Sequence, residues 1–330
     1  MKNLEMKKAI LILMGFVFVV SLKAQDVHLS QFYASPSSLN PALTGMMSEL
    51  IRANVSYREQ WSSVVPYSTI AASAERRLDI GNYDRVGIGL QMFNDKTGDV
   101  GGLNTFKLYA SSSFQKVLRT NSGNFVISSG MQIGFFQKGL YGEFIAPTDA
   151  VDNYINDRGV VQMDINGGGL IAFKLKGKST FFLGGSIFHL NKPKESFFDG
   201  SDNRLSQRYV INGGAMINND SRPLFVTPNF IFMSQGGAKE INLGANIHYD
   251  FARISNNDLE LILGGWSRLN DAVIAYAGMR VGASEFGLSY DMNNSGLSTS
   301  VGGQGAFEFS FKYIVKDKFI KLQACPSLRI

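Results

Sequence analysis

The chain has a single cysteine, Cys325, so no disulfide can form within it. Histidine is almost as scarce: His28, His189 and His248 lie far apart. A metal site or a catalytic triad needs such groups to converge with carboxylates, so this spread speaks against both, and no catalytic residue, metal or cofactor is expected. Long apolar runs are missing too. The longest, Ala9–Val20, falls short of the about 20 residues that a spanning helix requires, and nothing after it comes closer. If the protein crosses a membrane, it does so with strands, because only helices and closed barrels satisfy every backbone polar group in lipid. A basic patch is also absent. The net charge is +5, but the Lys and Arg are scattered and several fall in turn-like stretches, so no nucleic-acid partner is expected.

What is present at the start is the layout of an export signal: Lys2, Lys7 and Lys8, then the apolar run, then Ser21-Leu-Lys-Ala24. Residues 1–24 are therefore expected to be a signal peptide cleaved after Ala24, with no cysteine there to carry a lipid. Residues 25–47 follow as a polar, turn-rich segment with Pro36 and Pro41. From Ser48 to Val315 the dominant period is two. Phe125, Ile127, Met131, Ile133 and Phe135 alternate with Ser128, Gly130, Gln132 and Gly134, and Phe307, Phe309, Phe311 and Tyr313 alternate with Glu308, Ser310 and Lys312. Such alternation sets one face of a strand against something apolar.

A soluble sandwich gives the same period, so the content of the polar face decides. It carries Gly87, Gly89, Gly130, Gly134, Gly168, Gly184, Gly214 and Gly244 among Asn, Ser, Gln and charged residues, which suits a crowded, polar lumen. Turn signals divide the span into about fourteen strands, near 48–58, 66–78, 85–94, 102–117, 123–138, 163–175, 180–190, 207–218, 222–233, 239–251, 258–267, 272–281, 284–290 and 305–315. The long gaps, 139–162, 191–206 and 291–304, follow odd-numbered strands, and the gaps after strands 2, 4, 6, 8 and 10 are short. Outer-membrane barrels show this contrast between long outer loops and short periplasmic turns. The expected architecture is an all-β, antiparallel transmembrane outer-membrane barrel of about fourteen strands over 48–315, with a plug or lid (25–47) at the periplasmic mouth and a periplasmic tail (316–330). Two aromatic girdles are expected at the lipid interfaces: Trp61, Tyr67, Phe135, Phe188, Trp266 and Tyr290 outside, and Phe125, Phe181, Phe225, Phe251 and Tyr313 inside.

Local strings that suggest chemistry are weak. Ser113-Phe-Gln-Lys116 sits within a strand rather than at a helix start. Gly167-Gly-Gly169 lacks the helix and Lys-Ser/Thr of a phosphate cradle. Asp149, Asp152 and Asp157 with Asn153 and Asn156 offer hard oxygen ligands, but in no recognised calcium-loop spacing. Arg52 and Arg58 share the non-lipid parity of the first strand, and Arg58 is expected to pair inside the barrel with a carboxylate such as Glu75, since an arginine on the lipid face costs about 2–4 kcal/mol at mid-bilayer. Asn40-Pro41 excludes a helix through Asn40.

Several strings together resemble the PorP/SprF family of the Bacteroidetes: Gln31-Phe32-Tyr33-Ala-Ser-Pro36, Asn40-Pro41-Ala-Leu-Thr-Gly45, Tyr57-Arg58-Glu-Gln60-Trp61, Pro66-Tyr67-Ser68, and Gly87-Ile-Gly-Leu followed by Asn94-Asp95 and Gly98. The motif likeness covers about the first hundred residues. Beyond it the likeness is one of strand layout and the closing Cys325-Pro326, where Ser327-Leu328 replaces the family's usual aromatic. The resemblance implies an outer-membrane, non-enzymatic accessory of type IX secretion and gliding motility. Its implied partners are a secreted surface adhesin, the secretion components and outer-membrane lipid. A passive porin or small-molecule transporter is the alternative.

Overall fold

The computed structural model describes residues 26, 29–60, 66–81, 83–98, 102–141, 159–175, 179–196, 202–218, 222–254, 258–294 and 305–315. Fourteen strands run in chain order: β1 (Ile51–Gln60), β2 (Tyr67–Ile80), β3 (Asp84–Thr97), β4 (Gly102–Arg119), β5 (Gly123–Tyr141), β6 (Gly159–Leu175), β7 (Thr180–Phe188), β8 (Arg208–Met216), β9 (Leu224–Gln235), β10 (Ala238–Asp250), β11 (Leu259–Arg268), β12 (Ala272–Val281), β13 (Ser284–Asn293) and β14 (Ala306–Val315). Each pairs antiparallel with its neighbours in sequence, and β1 closes on β14, so the sheet is a barrel without an edge.

The period-two pattern becomes two surfaces. Val55, Ile88, Leu90, Ile127, Met131, Leu243, Leu263 and Phe309 form an apolar outer skin, while Asn54, Gln91, Ser128, Gln132, Asn242 and Glu308 point inward and are buried. Leu263, in the middle of β11, is 65% exposed. Leu263→Arg is therefore expected to lower the stability of the lipid-embedded barrel by about 2–4 kcal/mol. Equilibrium unfolding from lipid vesicles measures this, and a change below about 0.5 kcal/mol would mean this face does not meet lipid.

The connections separate the two ends of the barrel. The long ones, 142–158, 189–207 and 294–305, share one end with two tight turns at 236–237 and 269–271; this is the loop end. The other, the turn end, has connections no longer than 251–258. β5 and β6 reach further than their pattern suggested, so the loop expected at 139–162 narrows to 142–158, and β13 continues to Asn293, so Asp291 belongs to the wall rather than to a loop.

The aromatic girdles need correction. Phe135, Tyr290, Phe181 and Tyr313 do face outward. Trp266, Phe188 and Phe225 are buried inward, and Tyr67 also lies on the inner side, lining a cavity. The inner face is thus not uniformly polar; it carries apolar patches that a second element covers.

That element is the N-terminal segment. Leu29–Met47 is buried inside the barrel apart from the half-buried Ser38. It folds as three short 3-10 turns, Phe32–Ala34, Pro36–Ser38 and Pro41–Leu43. Prolines open two of them, where their missing N–H costs nothing. Asn40 is extended (φ −157°, ψ 116°), as a residue before proline prefers, and its side chain caps the third turn by accepting from the Ala42 N–H. The segment does not sit at the turn-end mouth, where sequence reasoning put it. It runs the length of the bore. Asp26 stands among side chains at the loop end, and at the turn end Arg77 and Arg85 donate to the Met47 carbonyl before β1 begins.

Candidate functional site: a filled bore with a cavity at the loop end

Two apolar clusters seat the segment. Phe32, Tyr33 and Leu39 pack with Phe188, Val210, Ile231, Ile262, Trp266, Ile274 and Tyr276. Tyr33 stacks on the Trp266 ring, with centroids 5.6 Å apart, while Phe32 meets the same indole edge-on at 4.9 Å. Nearer the turn end, Ala42, Leu43 and Met46 pack with Val117, Val126, Leu170, Ala172 and Phe182. Burial of these side chains, rather than a continuous hydrogen-bonded element, supplies most of the driving force for docking.

The inward glycines explain how backbone can lie against backbone. A Cβ on Gly130 would fall 2.3 Å from the Pro41 carbonyl carbon, one on Gly87 would fall 1.9 Å from the Thr44 oxygen, and one on Gly168 would meet the Asn40 side chain at 2.1 Å. Gly87, Gly89, Gly130, Gly168 and Gly184 are the floor on which the segment lies, whereas Gly134, Gly214 and Gly244 make room for neighbouring wall residues such as Tyr109, Asn229 and Trp266.

Polar anchors then fix its register. The Asn40 amide donates to the Gly169 and Gly185 carbonyls at 3.0 and 3.3 Å. Gly45 N–H donates to Glu75 at 2.8 Å, and Ser113 and Gln115 donate to the Thr44 carbonyl at 2.6 and 3.1 Å. Ser30 and Gln31 N–H groups donate to the two oxygens of Glu308 at 2.7 and 3.1 Å, and the Gln31 amide donates to Ser289 and to the Glu308 carbonyl. Arg58 stands behind this contact, 2.9 Å from Asp291 and 3.3 Å from Glu308, and also donates to the Ser30 hydroxyl. Its expected partner is therefore corrected: Glu75 lies directly across the ladder from Arg52 and pairs with it at 3.2 Å, whereas Arg58 lies across from Glu308 on the closing strand β14.

At the loop end, Asp26 receives the Lys107 ammonium at 2.5 Å, lies 2.6 Å from His189 Nε2 and 3.5 Å from Arg208. His189 Nδ1 contacts Asp164 at 2.9 Å, which also accepts from Tyr109 at 2.7 Å. Burial opposes charge on both ends of this latch, yet the neighbours prevail. Lys107, His189 and Arg208 hold the Asp26 carboxyl well below the usual carboxylate range. Asp26 and Asp164 hold the His189 imidazole above its ordinary value. Beside the latch opens a cavity of about 180 Å³ lined by Tyr67, Asp95, Thr97, Leu103, Thr105, Phe136, Lys138, Glu195 and Leu205, along with Asp26 and Lys107.

The residues singled out in the sequence divide accordingly. Gln31, Phe32, Tyr33, Pro36, Asn40 and Pro41 all lie in the buried segment, and Arg58 holds it. Tyr67 and Asp95 meet at the cavity. Tyr57 faces outward with its hydroxyl on Glu59, Asn94 has the outward parity next to Asp95, Gln60 ends β1, and Gly98 turns the chain after β3 with φ +78°. Trp61, His28, Cys325, the signal region 1–24, the tail 316–330 and the acidic stretch 149–157 lie outside the described residues. Ser113 and Lys116 point to opposite faces, one to Thr44 and the other to Asp84, so they share no chemistry. Among the described residues no three candidate metal ligands converge. Sequence reasoning missed Asp26, Lys107, His189, Arg208, Asp291 and Glu308 as a set. The inward parity of Lys107, Arg208 and Glu308 was readable within their strands, but Asp26 lies outside any strand, Asp291 falls in an expected loop, and the convergence of the set on one threaded segment was not readable.

Residues 21–313 match the family model described as type IX secretion system membrane protein PorP/SprF. No curated protein matches. Among solved structures, the Pseudomonas putida toluene transporter TodX is similar at 10% identity, over 90% of this chain and 100% of that one, with a TM-score of 0.51. The Ralstonia pickettii toluene transporter TbuX is similar at 10% identity over 86% and 94%, with a TM-score of 0.50. At such identity the likeness concerns the barrel fold alone.

Proposed function

The chain belongs to the PorP/SprF family of type IX secretion system membrane proteins, and from that premise we propose that it serves the secretion machinery as a docking barrel rather than as a conduit. It holds a large secreted partner, such as a surface adhesin, at the outer face of the outer membrane during export or anchoring. The observation that carries this reading is the filled bore: Leu29–Met47 is seated in two apolar clusters and fixed by buried polar anchors along its length. A lumen closed in this way leaves the loop end as the working surface. There Asn191 fastens the 189–207 connection to the rim of β6 through Met163 and Ile165, and Lys138 pairs with Glu195 at 2.5 Å across the mouth. The described part of that connection lies at this end, and the segment 142–158 joins β5 to β6 here, so a protein partner is expected to meet the barrel at this end.

Replacing residues 142–158 by a short turn is expected to abolish display of the partner on the cell surface while the barrel still shows its heat-modifiable shift on gels. Undiminished display would reject this loop as a docking element. The reading as a passive porin or small-molecule transporter requires an open path past the segment, which conductance measures directly.

A further inference from the structure

The cavity at the loop end holds a group that the docking reading has not used. Asp95, on the inner face of β3, is 4% exposed, and neither of its carboxylate oxygens has a hydrogen-bond partner. Thr69 lies directly across the ladder and Lys107 stands nearby, but the Thr69 hydroxyl and both Asp95 oxygens are without a hydrogen bond of normal geometry. Every cation in this part of the wall is engaged elsewhere. Lys107 gives its ammonium to Asp26, Lys138 gives its own to Glu195, Arg208 faces Asp26, and His189 bridges Asp26 and Asp164. An unpaired buried carboxylate opposes folding, because it loses hydration and gains nothing in return. Groups kept at such a cost concentrate where a ligand completes them.

We propose that this cavity takes a protonated amine or guanidinium, presented as a lysine or arginine side chain of the docked protein partner, with Asp95 as its counter-charge. The proposal rests on the docking reading for the source of the side chain, but not for the chemistry of the pocket. The cavity of about 180 Å³ far exceeds the room one water needs, about 10–15 Å³. Leu103, Phe136 and Leu205 offer apolar wall for an aliphatic stem, and the hydroxyls of Thr97, Thr105 and Tyr67 are placed around the same space to accept the protons that Asp95 does not. A divalent metal fits this set poorly: Asp26 and Glu195 are already engaged by Lys107 and Lys138, and one remaining carboxylate among hydroxyls lacks the anionic oxygen ligands such ions select.

The test uses the purified full chain in detergent micelles. N-acetyl-lysine amide and N-acetyl-arginine amide are titrated against the thermal midpoint, with the uncharged N-acetyl-norleucine amide alongside. The two cationic probes are expected to raise the midpoint in a saturable way and the neutral one to leave it unchanged. Asp95→Asn is expected to raise the midpoint of the free protein, since it removes an uncompensated charge, and to weaken both cationic probes about tenfold or more. A merely structural carboxylate would give the reverse, a lower midpoint and unchanged probe affinity, and that result overturns the proposal. So does equal binding of the neutral probe, or stabilisation by calcium alone. Capture of the secreted partner by wild type and Asp95→Asn separates the two readings. Loss of capture with D95N supports both. Cationic-probe binding with capture unimpaired in D95N overturns the assignment to a partner side chain and leaves docking standing.

Discussion

Replacing Arg58 by leucine is expected to destabilise the folded barrel by about 3–5 kcal/mol, the scale on which removing one partner of a buried ion pair acts. The guanidinium is 1% exposed and stands between Asp291 and Glu308, with the Ser30 hydroxyl as a third acceptor. Without it Asp291 retains Arg268 at 3.3 Å, but among the described residues the Glu308 carboxylate keeps the N–H groups of Ser30 and Gln31 from the threaded segment and no cation. Two consequences follow from one change: the β1–β14 closure weakens, and the Ser30 hydroxyl loses one of the two guanidinium groups that donate to it, Arg268 remaining. Arg58→Lys is expected to fall between the two, because a single ammonium cannot fork to both carboxylates. Denaturant unfolding in lipid vesicles reads the loss, and a change under about 1 kcal/mol for R58L would contradict this account of the network.

The second large effect is expected from a change of one hydrogen for a side chain. Gly130→Val places a Cβ 2.3–2.4 Å from main-chain atoms of Pro41 and Ala42. No flexible side-chain end is available to move aside, so the segment itself must lift from the wall. The hydrogen bonds of β5 to β4 and β6 do not involve that contact, and the barrel is expected to remain closed. The variant should therefore fold, keep its heat-modifiable mobility, and conduct ions in planar bilayers where the parent does not. Gly265→Ala is the matching control, since a Cβ there meets nothing within 4 Å. Equal, low conductance from G130V and G265A would mean that the glycine floor does not seat the segment.

These residues also mark what could be read from sequence and what could not. Period two identified the strands because each faces apolar surroundings on one side only, and that signal is local. The ends of strands were harder. Trp266 and Phe188 were expected at the lipid interface, where aromatics commonly sit, but an aromatic ring serves as well against Phe32 and Tyr33 inside the bore. Nothing in β11 or β7 alone distinguishes the two apolar environments. The partner of Arg58 depended on closure. Parity limited it to inward carboxylates, and only the register of β14 against β1 selects Glu308, leaving Glu75 to Arg52. Asn40-Pro41 disclosed an extended residue and a turn, yet not that Asn40 would rest on Gly168 and Gly184 from strands far along the chain. Asp95 was visible as part of a motif. Its isolation became evident only once Lys107 and Lys138 were seen to be committed to other carboxylates.

The path of the N-terminal segment through the bore is what the docking assignment, the role of Arg58 and the Asp95 pocket all depend on. Single-channel recording of the purified, unaltered protein in planar bilayers tests it most directly. A closed barrel predicts insertion without steady conductance, with current appearing only when the segment is dislodged, as in Gly130→Val. A steady, open-channel conductance from the unaltered chain would contradict it.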